Sequence, residues 1–230
     1  MPSKFFSSLL IAATFAAGST AAFAAPLTEC DLAQGNTAGI KLGGTLTAQH
    51  DAARKMYVLN HEPHQNKMVS GGLFIPLKKL PGMQQLQGEC SLVICNASLK
   101  GSTQVSGKLL FDIYSSSNKA AAGFTVSSER YHHHRKINFA NSALPMNFTP
   151  GKPLKLTLTV NLDQQNWVGT VTEDGKLLFT TGLQKLADNF APDFMRVIAT
   201  SNSRNDGLQI LVTDLAVNGS TESDDDSSIK

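Results

Sequence analysis

The chain has 230 residues, 41% hydrophobic and 17% charged, with 20 Lys and Arg against 18 Asp and Glu. This composition excludes a disordered, collagenous or coiled-coil protein. The formal charge of +2 gives no electrostatic reason to expect a polyanionic partner, so nucleic acid and an acidic membrane surface are set aside.

Residues 1–24 carry Lys4, an apolar stretch from Phe5 to about Ala17, and small residues closing on Ala22-Phe23-Ala24. That order is the pattern of a secretory signal peptide. The apolar stretch is shorter than the roughly 20 residues a membrane-spanning helix needs, so the mature chain is expected not to be an integral membrane protein. Export to a secreted or periplasmic location would leave 230 − 24 = 206 residues, enough to bury one core. We expect a single domain over 25–219 and a disordered acidic tail over 220–230.

Three cysteines follow the leader, Cys30, Cys90 and Cys95, and an exported compartment permits disulfides. On one extended strand Cys90 and Cys95 would sit about 16 Å apart at roughly 3.3 Å per residue, beyond the bridging limit of about 7 Å. We therefore expect Cys30 to pair with Cys90 or Cys95. The alternatives are a turn at Gly88-Glu89 that joins Cys90 to Cys95, or three small buried hydrophobes.

From Gly43 onward apolar and polar residues alternate in short runs between turn clusters, which predicts an all-β protein. The clearest strands are 108–114, 154–162, 166–173 and 208–217. Gly43-Gly44 and Gly71-Gly72 read as bulges or tight bends, and 76–82 as a break. In 154–160 the period of two is strict, with three leucines and Val160 inward and Lys155, Thr157 and Thr159 outward. Asp163-Gln164-Gln165 supplies a hairpin loop, and Asp174-Gly175 a second leading into 176–180, since Asp-Gly accepts the backbone angles tight turns require. Residues 183–190, with Leu183, Leu186 and Phe190, have a spacing that predicts one short helix before Pro192.

Three segments carry the resemblance of this chain to a known family. They are Gly107-Lys-Leu-Leu-Phe-Asp-Ile-Tyr, then Ala122-Gly-Phe-Thr-Val, then Gly151-Lys-Pro-Leu-Lys-Leu-Thr-Leu-Thr-Val, followed by a hairpin over 166–180 and a closing strand ending Val-Asn-Gly. Over about residues 90–219 this order resembles the middle strands of concanavalin A-like lectin and glucanase domains. The resemblance implies an antiparallel β-sandwich of jelly-roll type and contact with a glycan, since such domains are lectins, carbohydrate-binding modules, glycoside hydrolases or polysaccharide lyases.

Four of the six histidines fall in two loci, His61-Glu-Pro-His64 and Tyr131-His132-His133-His134-Arg135. If 131–139 is a strand, His132, His134 and Lys136 share its wet face. Two imidazoles at that spacing can chelate zinc or copper, with His61 or His64 as a third ligand; the alternative is solvated surface histidines. The same segment offers Tyr131, His132, His134 and Arg135 to a polysaccharide lyase, which needs a cation, a base and an acid. The Arg-rich strand and the Gln-x-His strand of lyases on this sandwich are absent. The close carboxylate pair of a retaining glycosidase is absent too. No nucleophile motif, phosphate loop or dinucleotide fingerprint occurs, so no cofactor is expected.

Trp167 alternates with Gly169 and Val171, which favours the core over sugar stacking. For glycan binding the candidates are Tyr131, His132, His134, Arg135, Asn202, Arg204 and Asn205. The leading reading is an exported, non-catalytic β-sandwich that binds polysaccharide. The alternatives are a carbohydrate-active enzyme, lyase before hydrolase, and an envelope or matrix structural protein.

Overall fold

Alternation of apolar and polar residues puts every second side chain on one face of an extended strand, and the chain builds its strands along that pattern. The computed structural model describes residues 25–61, 69–96, 107–128, 135–138, 149, 151–201 and 208–221. Among them lie β1 (Ala25–Pro26), β2 (Lys41–Gly44), β3 (Thr47–Asp51), β4 (Met56–His61), β5 (Val69–Pro76), β6 (Gln85–Asn96), β7 (Gly107–Ser115) and β8 (Ala120–Ser128). There follow β9 (Arg135–Asn138), β10 (Pro153–Asn161), β11 (Asn166–Glu173), β12 (Lys176–Thr180), β13 (Gln184–Lys185), β14 (Phe194–Ser201) and β15 (Leu208–Ser220). One 3-10 turn, Leu32–Gln34, precedes β2.

All pairings between these strands are antiparallel, and they form two sheets. The larger runs β12-β11-β10-β6-β15-β4-β3, with β1 added on β15 and β13 on β11; the smaller runs β2-β5-β14-β7-β8-β9. The protein is an all-β sandwich.

The core lies between the sheets. Leu154, Leu156, Leu158 and Val160 of β10 are buried, as the strict alternation requires, and so are Leu109, Phe111 and Ile113 of β7. Contact across the gap is close: a Cβ on Gly169 of β11 would lie 2.7 Å from the Phe124 ring of β8. Phe124 also meets Phe111 edge-on at 5.9 Å, a favoured aromatic geometry. In β15 a register shift between Val212 and Asp214 absorbs one residue. Ile210 and Val212 before it, and Leu215 and Val217 after it, therefore all reach the core.

The β10-β11-β12 meander forms as expected, and Asp174 and Gly175 take φ of 50° and 77° in its second turn. Gly71-Gly72 lies within β5, whereas Gly44 takes φ of 93° where β2 ends and the chain bends. The two glycine pairs meet across β2 and β5, Gly43 with Gly72 and Gly44 with Gly71.

The short helix expected over 183–190 is absent. Gln184–Lys185 instead pairs with Trp167 and Asn166 of β11, and the Leu186 N–H donates to the Gln165 carbonyl at 2.8 Å. An open sheet edge offers these backbone groups partners that a two-turn helix could not match. The three apolar residues do not share a face: Leu186 and Phe190 are buried, while Leu183 is 66% exposed.

Asp193, just before β14, ties together the loops at one end of the sandwich. Its carboxylate accepts from the Ser116 hydroxyl at 2.5 Å and the Ser116 N–H at 2.8 Å, and pairs with Lys79 Nζ at 2.9 Å. The Ser116 hydroxyl bond leads the effects that hold this carboxyl down at about 2, with Lys79 adding to it. A depressed carboxylate pKa contributes stability above the unfolded value and loses it as pH falls through the folded one. Unfolding free energy should therefore drop between about pH 4 and 2, and Asp193→Asn should flatten that part of the profile in urea titrations.

A Cβ at Gly72 would lie 2.0 Å from the Val197 carbonyl oxygen and 2.9 Å from the Ile198 Cα, backbone atoms that cannot swing aside. Gly72→Ala should cost about 1–3 kcal/mol in chemical denaturation.

Candidate functional site

Most of the candidate residues named from the sequence, namely Tyr131, His132, His134, Asn202, Arg204, Asn205 and His64, lie outside the described residues. Their strand anchors do not. His61 ends β4 opposite Leu208, which also faces Asn96. Ser201 pairs with Val69; Ser128 pairs with Gly107 on one side and with Arg135, the first residue of β9, on the other.

These anchors fall on two sheets but at one end of the sandwich. Ser201 and Leu208 are separated by seven peptide steps, about 25 Å at full extension. β15 is 13 residues long, or about 40 Å, so the chain leaving Ser201 cannot reach the far end before β15 starts. The described strand ends His61, Ser128, Arg135, Ser201 and Leu208 thus lie at the end opposite Asp193.

The outer face of the smaller sheet holds residues that the sequence reading missed. Outward positions of the larger sheet are mostly polar, as in Lys155, Thr157 and Thr159 of β10 and Gln87, Glu89 and Ser91 of β6, with Lys155 paired to Glu89 at 2.8 Å. The smaller sheet differs. Its outward positions include Phe74 on β5, Phe194, Arg196 and Ile198 on β14, and Leu110, Asp112 and Tyr114 on β7; all are half-buried except Asp112. The register sets Phe74, Arg196, Asp112 and Gly123 in one row across four strands, with Pro76, Phe194, Tyr114 and Ala121 in the next.

Asp112 is 1% exposed although it sits on the outer face. Arg196 clasps it with two bonds, Nε to Oδ1 at 2.8 Å and Nη2 to Oδ2 at 2.6 Å, the bidentate geometry of the strongest ion pairs. The same guanidinium lies over the Tyr114 ring with Cζ 3.8 Å from its centroid, a cation–π contact. Gly123 fits beneath: a Cβ there would lie 2.2 Å from the Asp112 Cβ. Burial pushes the Asp112 carboxyl above the ordinary aspartate range, while its hydrogen bond and Coulomb attraction to Arg196 oppose the shift.

The signal for this face was present in the sequence as broken alternation. Leu109-Leu110-Phe111, Phe74-Ile75 and Val197-Ile198 put apolar residues on both faces of a strand, and a two-faced strand is covered or functional on both sides. Trp167 does belong to the core, being 5% exposed. Cys30, Cys90 and Cys95 are free thiols, so the structure contains no bridge from Cys30 to either partner. Cys90 and Cys95 share β6 five residues apart, and burial raises the pKa of all three. No group of three or more His, Cys, Asp or Glu among the described residues could hold a metal ion, and no described helix is long and apolar enough to cross a membrane.

No family model and no curated protein sequence matches the chain. Solved structures do. The carbohydrate recognition domain of Emp47p superposes with a TM-score of 0.54 at 14% identity, covering 85% of this chain and 94% of that one. The chain has a concanavalin A-like lectin fold. A seed lectin of Lotus tetragonolobus matches with a TM-score of 0.54 at 12% identity over 81% of this chain and 95% of its own. The lectin UEA-II, solved with galactose, matches at 0.52 and 9% identity over 79% and 92%.

Removing one member of a buried ion pair strands the other. Arg196→Met should therefore destabilise this lectin-fold protein by about 3–5 kcal/mol, and the double variant Asp112→Leu/Arg196→Met should recover a substantial part of that loss. Urea unfolding of the two variants checks both; equal losses would deny Asp112–Arg196 its role.

Proposed function

We propose that this is an exported, non-catalytic carbohydrate-binding protein, with its binding surface on the outer face of the smaller sheet. The observation that carries the reading is the half-buried aromatic and aliphatic set Phe74, Tyr114, Phe194, Leu110 and Ile198, fixed around one guanidinium on a face that would otherwise be polar. Sugar rings present apolar C–H faces that pack on aromatic side chains, and their hydroxyls take bonds from a fixed polar group. The guanidinium has donors to give: Asp112 takes Nε and one Nη2 hydrogen, and Nη1 has no hydrogen-bond partner among the described residues.

Two further facts support the reading. Structures of the same fold include proteins named as lectins and as a carbohydrate recognition domain. The acid of this face, Asp112, is committed to Arg196, which leaves it a poor general acid or base. Export rests on the pattern of residues 1–24. Tyr131, His132, His134, Arg135, Asn202, Arg204 and Asn205 remain the sequence-based candidates for further glycan contacts.

The test is incubation of the protein with neutral and uronate-containing polysaccharides, following retention on insoluble polymer and the absorbance of unsaturated products together. Retention without new absorbance is the expected result. Absorbance that vanishes on changing His132 or His134 to alanine would replace the reading with a lyase. Tyr114→Ala and Phe74→Ala should each weaken retention about fivefold to tenfold, the scale of one lost aromatic contact.

A further inference from the structure

We infer that the outer face of the smaller sheet binds an anionic polysaccharide, one bearing carboxylate or sulfate groups; this names the ligand class for the surface just proposed and rests on that reading. The chain as a whole is nearly balanced in charge, but the strand register sorts its charges by face. Lys41 of β2 falls in the row of Phe74, Arg196 and Asp112. Two rows on, Ser70, Thr200, Lys108, Ser127 and Lys136 line up across five strands. Among the described residues Asp112 is the only acid at an outward position of these six strands, and two short bonds close it on Arg196. Four cations against one carboxylate give these outward positions a net charge of +3.

Charge alone attracts any polyanion; its setting here favours a sugar. Phe74 beside Lys41, and Tyr114 and Phe194 in the row next to Arg196, offer ring surface to the C–H faces of a pyranose. The Ser70 and Thr200 hydroxyls, 3.0 Å apart, lie in the row of Lys108 and can exchange bonds with sugar hydroxyls. Lys108 and Lys136 stand two strands apart, about 10 Å, and Lys41 lies about 20 Å from Lys108 on the diagonal, so a ligand that meets all three is a polymer. A lysine ammonium is a compact charge without the planar fork of arginine, and it accepts carboxylate and sulfate alike. Lys41 is exposed, so an anion reaching it keeps most of its water and loses little to desolvation. Asp112, committed to Arg196, is a poor base, so the anionic sugar is held rather than cleaved.

The experiment measures affinity of the full chain for polygalacturonate, dextran sulfate, galactomannan and polyadenylate at about 0.05 and 0.5 M NaCl, concentrations that span the loss of electrostatic attraction. We expect polygalacturonate, dextran sulfate or both to bind at least about tenfold more tightly than galactomannan at the lower salt, and to lose about tenfold or more at the higher. The tighter of the two identifies the anionic group. Galactomannan bound as tightly as either, or anionic binding insensitive to salt, would overturn the inference while leaving a carbohydrate-binding protein. Polyadenylate bound as tightly as the anionic glycans would overturn it too, since the face would then read charge alone. Failure to bind any of the three polysaccharides would overturn both the inference and the reading beneath it.

Lys41→Gln/Lys108→Gln/Lys136→Gln should lower affinity for the preferred anionic polymer about tenfold or more at the lower salt, and Lys41→Arg/Lys108→Arg/Lys136→Arg should keep it within about threefold. Lys152→Gln/Lys176→Gln/Lys185→Gln removes the same charge at β10, β12 and β13 of the larger sheet, and should change that affinity less than about threefold. Equal losses in the two glutamine variants would overturn the inference, because net charge rather than this face would then govern binding. If circular dichroism shows that the first variant does not fold, the polymer ranking and salt response of the unaltered chain decide the matter.

Discussion

The rest of the structure depends on the face-to-face burial of side chains spaced two residues apart. Leu154, Leu156, Leu158 and Val160 on one sheet, and Leu109, Phe111 and Ile113 on the other, can leave water only if two sheets stack with these residues between them. Each such side chain contributes about 1.5–3 kcal/mol on burial, so several strands together outweigh any single hydrogen bond or ion pair. That demand explains the bulge in β15, which returns Leu215 and Val217 to the core. It also explains the glycine at 169, where the Phe124 ring from the opposite sheet occupies the space a side chain would fill.

Once the inner faces are committed, the outer faces and the two ends are what remain for function, and they are unequal. One end is tied by Asp193 to Ser116 and Lys79. At the other lie the strand ends His61, Ser128 and Ser201. The outer faces differ in the same way. Threonine, lysine and glutamate coat much of the larger sheet, whereas the smaller sheet exposes parts of Phe74, Tyr114 and Phe194 around a clasped Arg196. An aspartate buried on the outside of a sheet is costly to desolvate, and its two bonds to Arg196 offset that cost. In doing so they hold the guanidinium over the Tyr114 ring.

Similarity to lectin structures at 9–14% identity concerns the path of the chain. A jelly-roll sandwich is compatible with several chemistries, and the side chains on its free surfaces decide among them. Here the argument for carbohydrate comes from a compensated ion pair set among aromatic rings. A uronate lyase would want a cation free to meet a carboxylate, and the guanidinium on this face is already engaged.

The sequence by itself determined what depends on neighbours along the chain. The period of two in residues 154–160 revealed which side chains face inward, Asp174-Gly175 revealed a tight turn, and the short apolar runs revealed an all-β protein. Only the tertiary structure decided what depends on residues far apart. Residues 183–190 have a spacing that suits a helix, yet the open edge of β11 takes Gln184–Lys185 as a strand. The pairing of Asp112 leaves no mark along the chain, because its partner Arg196 lies 84 residues away and meets it only through the β7–β14 register. The strand ends His61, Ser128 and Ser201 meet at one end for the same reason: strand pairing across the whole chain sets where each strand starts and stops. Local periodicity fixes the face a side chain takes, but the partner strand is chosen by burial and hydrogen bonding over the entire fold.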